Sequence, residues 1–271
     1  MLLPDLLDLE EVATDVWTGP NEEDRGYRRL FGGQVLAQAL RAAAHTVAPE
    51  RLPHSLHAYF LRPGDPAEPV MLVVHRDRDG KSFSARRVVA SQGDAEIFTM
   101  LASFHVREDS GTLELSFPDG IPEPDEADRV AWFRSIVDFI VVRPPLGPDR
   151  EWTGPPTTMW TRSAAPLGDD PIVNACALAY VSDIGVGFGA VDIPNLAKGG
   201  PTIDHALWFE DPIRVDDWVL LDYKPWKAGG ARGVYTGTLH SRSGALGATM
   251  AQEVLLRPGR QWGPPPQQPR D

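Results

Sequence analysis

The sequence predicts an α+β protein made of two tandem lobes, each an antiparallel sheet wrapped round one helix. Three observations carry this expectation. Phe60-Leu61-Arg62-Pro63 lines up with Phe209-Glu210-Asp211-Pro212, an offset of 149 residues. From there each half repeats one layout of three alternating segments separated by Gly turns. Each half also places one apolar helical segment before its strands. A single repeat of this length means a duplicated domain and not a solenoid.

The elements follow in order. The first helix is expected over 33–45, where Gln34, Gln38, Arg41 and His45 form one narrow polar stripe on a cylinder of Val, Leu and Ala. The strands of the first half fall at 68–75, 81–91 and 95–107, with turns at Asp79-Gly80 and Gln92-Gly93. The second helix is expected over 172–181, with Asp170 as N-cap and Pro171 at its first position. Its sides are nearly all apolar, so most of its faces should be buried. The later strands fall at 217–226, 231–242 and 245–257, with turns at Gly229-Gly230 and Ser243-Gly244. The last strands of the two halves share a string, Thr99-Met100 against Thr249-Met250.

Glycine (25) and proline (26) mark the boundaries by clustering. One cluster runs from Ser116 to Ile121 and on through Pro122 and Pro124, a second from Arg143 to Pro148, and a third covers the tail with Pro264-Pro265-Pro266. The expected organisation is a first lobe at 1–109, a linker at 110–150, a second lobe at 151–257 and a disordered Pro-rich tail at 258–271.

Composition excludes several classes. With 42% hydrophobic and 24% charged residues, the 271-residue chain can build a sizeable core. A net charge of −12 argues against non-specific nucleic-acid binding, which needs a dominating basic field. No apolar run reaches the length of a transmembrane helix, so no membrane partner is expected. Met1-Leu2-Leu3-Pro4-Asp5 lacks the basic start of a signal peptide. One cysteine, Cys176, rules out an internal disulfide and a multi-cysteine metal site, and fits a cytoplasmic setting.

Common chemical signatures are missing. There is no Gly-x-Ser-x-Gly elbow and no Walker A motif. Gly185-Val186-Gly187-Phe188-Gly189 resembles a dinucleotide loop but follows a helix where that motif requires a strand. His54 and His57 lie three apart on a strand and face opposite sides, so they cannot share a metal. Alternation separates His205 from Asp204 in the same way. Cys176 reads as a small core residue. No metal and no cofactor are expected.

Three polar positions in the second half stand out. By parity Gln252 shares a face with Leu246, Ala248, Met250, Val254 and Leu256, where an unpartnered amide is costly. Its counterpart in the first half is Ala102, so the architecture does not require the amide. Asp183 ends the second helix, where a carboxylate opposes the dipole, although an Asp beside Gly185 can equally serve a turn. Thr202 begins the following strand, a place any β-branched residue suits.

The strings Phe31-Gly32-Gly33-Gln34-Val35, His54-Ser55-Leu56-His57-Ala58-Tyr59-Phe60-Leu61-Arg62-Pro63-Gly64-Asp65 and Asp79-Gly80-Lys81-Ser82-Phe83-Ser84-Ala85-Arg86-Arg87-Val88 resemble the acyl-CoA thioesterase II family of bacterial thioesterase B type. Ser182-Asp183, the run Thr202-Ile203-Asp204-His205-Ala206-Leu207-Trp208-Phe209, and Gln252-Glu253 extend the resemblance, which covers roughly 9–257. It implies a double hotdog fold, hydrolysis of acyl-CoA to free acid and CoA, and Asp183, Thr202 and Gln252 as the catalytic set. Asp183 would take a proton from a water held by Thr202 and Gln252. Backbone N–H groups of Gly32 and Gly33 are the candidate oxyanion donors.

An acidic chain needs local cations for the CoA phosphates. Lys81, Arg86 and Arg87 are candidates, although Arg86 and Arg87 must face opposite ways. His57 is a further substrate-binding candidate, ranked below Asp183 as a base. The resemblance also implies a homo-oligomer. Residues 184–190 depart from the family's usual bulky apolar loop in being glycine-rich, which leaves chain-length preference open. Two other readings remain: a hotdog enoyl-CoA hydratase, whose Asp-x-Asn-Pro-x-x-His pattern is missing, and a non-catalytic acyl-CoA binder on the same fold.

Overall fold

The computed structural model describes residues 1–22, 29–126, 136–143 and 156–257, apart from 186, 190, 192, 193 and 198. The chain opens with a short helix α1 (Leu3–Leu6) and a hairpin of β1 (Glu10–Ala13) and β2 (Val16–Gly19). Helix α2 (Gly32–Ala44) and strands β3 (Arg51–Phe60), β4 (Val70–Asp79), β5 (Phe83–Gln92) and β6 (Ala95–Val106) complete the first half. The second half comprises β7 (Val137–Arg143), β8 (Thr158–Ser163), α3 (Pro171–Ser182), β9 (Thr202–Phe209), β10 (Val219–Gly229), β11 (Arg232–Ser241) and β12 (Leu246–Leu255).

The strands form one antiparallel twelve-stranded sheet among the described residues, in the order β1-β2-β4-β5-β6-β3-β9-β12-β11-β10-β8-β7. Read from either end, this order visits equivalent strands of the two repeats. The halves meet at β3 and β9, where His57 pairs with Ala206, its own counterpart at the offset of 149. Ser55 pairs with Trp208 and Tyr59 with Asp204, and the same offset converts one pair into the other. The internal pseudo-dyad therefore passes between His57 and Ala206, as in a two-fold dimer interface carried on one chain. This is the double hotdog arrangement.

Both long helices are where their sequences put them. Asp170 caps α3, accepting from the Ile172 N–H at 2.8 Å, with Pro171 at the first helical position. Such a cap contributes about 1 kcal/mol. Helix α3 is apolar all round and its last seven residues are buried, as expected of a helix enclosed on every side. The glutamines of the α2 stripe are also buried. Gln38 donates to the carbonyls of Leu6 (3.0 Å) and Pro20 (2.8 Å), and Gln34 donates to Asn21 Oδ1 at 2.8 Å. These amides tie the amino-terminal segment over the helix. Gly33 lets the start of α2 approach the backbone of Tyr180 on α3. A single core cluster runs through both helices and both halves of the sheet.

One expectation needs correction. The stretch 110–150, expected as a linker, contributes β7, the edge strand that pairs with β8 and buries Phe139. Phe117 and Ile121, from the first Pro/Gly cluster, pack on a second small core of Ile140, Trp160, Trp218 and Leu220, and Trp160 donates to the Pro122 carbonyl at 3.0 Å. The run is broken by prolines because it crosses the outer face of the sheet. Residues 144–148 of the second cluster and the tail expected to be disordered, 258–271, lie outside the described residues.

Candidate active site

The end of α3 and the facing strands β9 and β12 bring the three expected catalytic residues together. Asp183 is the C-cap of α3, and its side chain is 4% exposed. Thr202 Oγ1 donates to Asp183 Oδ1 at 2.8 Å. Gln252 Nε2 donates to the same oxygen at 3.0 Å and to Thr202 Oγ1 at 2.6 Å. Two donated bonds on one oxygen suit an ionised carboxylate, which only accepts. They also offset the unfavourable position of Asp183 at the negative end of the helix.

Local backbone geometry explains how Thr202 joins this face. Glu253 pairs with Asp204, but Val254 pairs with Thr202, so Ile203 is the extra residue of a bulge. A bulge re-aims the side chains that follow it. Thr202 and His205, three apart and on opposite faces of a regular strand, here both reach Gln252. Gln252 itself lies on the buried face with Met250 and Val254, as its parity requires.

His205 is the functional residue that sequence reasoning missed. Its Nδ1 lies 2.8 Å from Gln252 Oε1 and its Nε2 lies 3.0 Å from Ser182 Oγ. Burial lowers its pKa to about 4, against a smaller raising effect from Gln252. The ring is therefore neutral near pH 7, and it must donate from Nδ1 if Gln252 is to turn its NH2 group toward Asp183. The expectation that Asp204 is not its partner holds. Parity with the buried Leu207 is the sequence signal that puts His205 on the inner face. Two buried phenols stand behind the site: Tyr223, which donates to the Ser182 carbonyl at 3.1 Å, and Tyr235. Burial raises the pKa of both, and the Asp183 charge raises them further, so both are neutral.

Gly32 also belongs to the site. A Cβ built there would sit 2.5 Å from Asp183 Oδ2 and 2.9 Å from the Phe60 ring. Only glycine allows that approach. Among the described residues no side chain caps the start of α2, and its first N–H groups have no intrahelical acceptor.

The expected substrate-binding residues do not gather here. His57 is exposed on the face of β3 opposite the buried Leu56 and Ala58, and meets the Trp208 ring edge-on at 5.3 Å. Lys81 sits in the β4–β5 turn, where its carbonyl accepts from Arg51 at the start of β3. The cluster of Asp183, Thr202 and Gln252 lies beyond the other end of β3, about 26 Å along an eight-residue rise. Arg86 requires a correction: it is 1% exposed. Its guanidinium donates to Thr46 Oγ1 (2.7 Å), Asp79 Oδ1 (2.6 Å) and the carbonyls of Thr46, Arg78 and Ala85. No donor remains for a phosphate, because alternation turned this side chain into the core. Arg87 lies on the opposite face of β5 from Arg86, as alternation requires, and pairs with Asp77 at 3.4 Å. Among the described residues, no group of three or more His, Cys, Asp or Glu could hold a metal.

In the departing loop, Gly185 takes φ +90°, where an added Cβ would meet the Met159 side chain at 2.7 Å. Gly187 lies against the Tyr235 ring, while Val186 and Ala190 fall outside the described residues.

Comparisons with known proteins identify the family. Residues 22–105 match the acyl-CoA thioesterase N-terminal domain, and 113–256 match the C-terminal domain. The chain is 33% identical to mouse acyl-coenzyme A thioesterase 8 over 287 residues, covering 95% of this chain and 89% of that protein. It is 34% identical to acyl-CoA thioesterase 2 of Haemophilus influenzae over 277 residues, covering 93% and 96%. The crystal structure of an acyl-CoA thioesterase II, TesB2, from Mycobacterium marinum superposes with a TM-score of 0.79 at 33% identity, covering 97% of this chain and all of that one. A hot dog fold protein from Alicyclobacillus acidocaldarius shares the fold at 21% identity and a TM-score of 0.73, covering 95% and 98%. Both halves of the chain are accounted for by these matches, and it belongs to the acyl-CoA thioesterase II family, whose reaction is hydrolysis of the acyl-CoA thioester.

Proposed function

We propose that the protein hydrolyses fatty acyl-CoA by direct attack of water, with Asp183 as general base and Thr202 and Gln252 as the groups that position the water. The observation that carries this reading is the convergence of both donors on Asp183 Oδ1, at 2.8 and 3.0 Å. Thr202 Oγ1 donates one bond, receives one from Gln252, and keeps a lone pair for the water. Asp183 takes the water proton as the new O–C bond forms at the thioester carbonyl. The resulting oxyanion is held by N–H groups at the start of α2, with Gly32 beside the base. Collapse breaks the C–S bond, and the thiolate takes the proton from Asp183. No covalent acyl-enzyme is needed.

The test is thiol release from a panel of saturated and enoyl acyl-CoAs, with loss of the enoyl chromophore followed in parallel. Asp183→Asn should remove turnover and keep the fold. Near-normal turnover would defeat the assignment of the base, and water addition without thiol release would favour the hydratase reading. Binding without either would make the protein an acyl-CoA binder.

The same reading puts the protein in the cytoplasm, in fatty acid metabolism, as a homo-oligomer. Tyr59, Leu101 and Trp208 support self-association, because they are exposed on the outer face of the sheet close to the pseudo-dyad. Leu101→Glu should lower the mass measured by light scattering, and a monomeric wild-type protein would overturn this part.

A further inference from the structure

The internal repeat relates the candidate active site to a second place in the molecule. Helix α3 begins at Pro171 as α2 begins at Gly32. At the offset of 149, Phe209 corresponds to Phe60 and Pro53 to Thr202. A cavity of about 190 Å³ lies at this second place, lined by Pro53, Pro171, Leu178, Phe209 and Ile213, with Ala175 in its wall. Its lining draws on both halves of the chain, as the catalytic site does. The chemistry is gone: Pro53 stands for Thr202, Ala102 for Gln252, and His45 caps α2 where Asp183 caps α3.

The buried guanidinium of Arg86 further marks this half as non-catalytic. Arg86 pairs with Ala102 across β5 and β6 as Tyr235 pairs with Gln252 across β11 and β12. Its bonds to the Thr46 carbonyl and hydroxyl tie down the carboxyl end of α2, the end that favours a cation. In this half His45 thus stands for the carboxylate and a structural cation stands for Tyr235, while the neighbouring cavity is left open.

We propose that this cavity is a second, non-hydrolytic site for a short apolar acyl chain. The inference rests on the reading of the reaction given above, since the occupant is argued from the acyl-CoA site that the repeat relates to it. The lining is mostly apolar, and its other polar side chains are engaged elsewhere: His54 with Ser103 Oγ at 2.7 Å, His105 with Glu108 at 3.4 Å, and the Asn174 amide with the Gly168 and Asp170 carbonyls. Arg107 at the rim is already paired with Asp211, and Glu210 lies beside it, so the cavity selects for the chain and not for an anionic head. A cavity of about 150 Å³ accepts a six-carbon ring, so this volume suits a chain of about six carbons.

The experiment is calorimetric titration of the whole protein with S-hexyl-CoA, a thioether that cannot be hydrolysed, and separately with hexanoate. The expected result is two S-hexyl-CoA per wild-type chain and one per Ala175→Phe chain. Thiol release at low substrate should be the same in both proteins. Ala175→Leu is a smaller plug should the phenylalanine impair folding. Hexanoate filling one equivalent that Ala175→Phe removes, with S-hexyl-CoA binding once, would support the site with free acid as the source. One S-hexyl-CoA per wild-type chain and no hexanoate, with thiol release intact, overturns this proposal alone. Two equivalents in both plugged variants overturn the location. No binding of either ligand together with no thiol release overturns the reading of the reaction as well.

Discussion

His205 Nδ1 lies 2.8 Å from Gln252 Oε1, and the two side chains are 1% and 2% exposed. This contact couples the tautomer of the ring to the orientation of the Gln252 amide. With the ring donating from Nδ1, the amide oxygen must face His205, and the NH2 group is left for Asp183 and Thr202. In the proposed mechanism His205 is a positioning residue, acting through Gln252 without touching the reacting atoms. The repeat supplies a test, because Leu56 occupies the equivalent place on β3. His205→Leu should fold, keep KM nearly unchanged and lower kcat by about 10- to 100-fold, the range expected when a catalytic group loses its alignment. Unchanged kcat would show that the amide holds its orientation without the ring.

The same burial makes a prediction about pH. His205 has an ordinary pKa of 6.5 and is held near 4 in the folded protein by desolvation. The unfolded chain therefore binds a proton that the folded chain refuses. This contribution is fully present above pH 6.5 and is lost as pH falls toward 4. At about 1.4 kcal/mol per pH unit, the loss is about 3 kcal/mol across that window. Melting temperatures from pH 7 to 4 should fall more steeply for the wild type than for His205→Leu, and parallel curves would be the contrary result.

Gly32 ties the first half of the chain to chemistry in the second. A methyl group at this position would meet Asp183 Oδ2 at 2.5 Å and the Phe60 ring at 2.9 Å, and neither neighbour is a free flexible end. Gly32→Ala should push Asp183 out of alignment and cut kcat by about 100-fold. The melting temperature should change little, because alanine favours the helix that the clash disfavours. A kcat within twofold of wild type would remove Gly32 from the site.

Much of this was legible in the chain itself. The offset of 149 and the Gly turns gave the duplicated layout, and Gly93, Gly230 and Gly244 adopt the positive φ that such turns need. Parity placed Gln252 on the buried face, and helix polarity singled out Asp183. What escaped was set by contacts distant in sequence. The bulge at Ile203 breaks strict alternation, and only the β9–β12 register reveals it. His205 acquires its partner across two strands. Arg86 looked like a surface cation because nothing near it in sequence announces the Thr46 carbonyl 40 residues away.

Arg86 accordingly separates two roles that charge alone confuses. A CoA-binding arginine would raise KM when removed and leave stability intact. A buried arginine with five internal acceptors does the reverse. Arg86→Met should lower stability by about 2–4 kcal/mol, because the buried Thr46 hydroxyl and carbonyl lose their donor, while Asp79, whose side chain is 55% exposed, is rehydrated. KM for acyl-CoA should stay within twofold. Denaturant unfolding and steady-state kinetics on the same preparation measure both quantities, and a raised KM with unaltered stability would return Arg86 to the binding surface.

Cys176 offers an internal reporter for these measurements. It is fully buried in α3, and burial raises its thiol pKa to about 12. The thiolate is the reactive form, so at pH 8 about one thiol in ten thousand would be ionised even before access is considered. A chromogenic aryl disulfide should therefore leave the folded protein unlabelled over the time of an assay and react with one equivalent in denaturant. Thiol release from acyl-CoA can then be read with that reagent without a background from the enzyme. The slow labelling rate in the absence of substrate should rise in Arg86→Met as the open state becomes more populated. Rapid labelling of the native wild-type protein would mean that the α3 core opens far more readily than its packing implies.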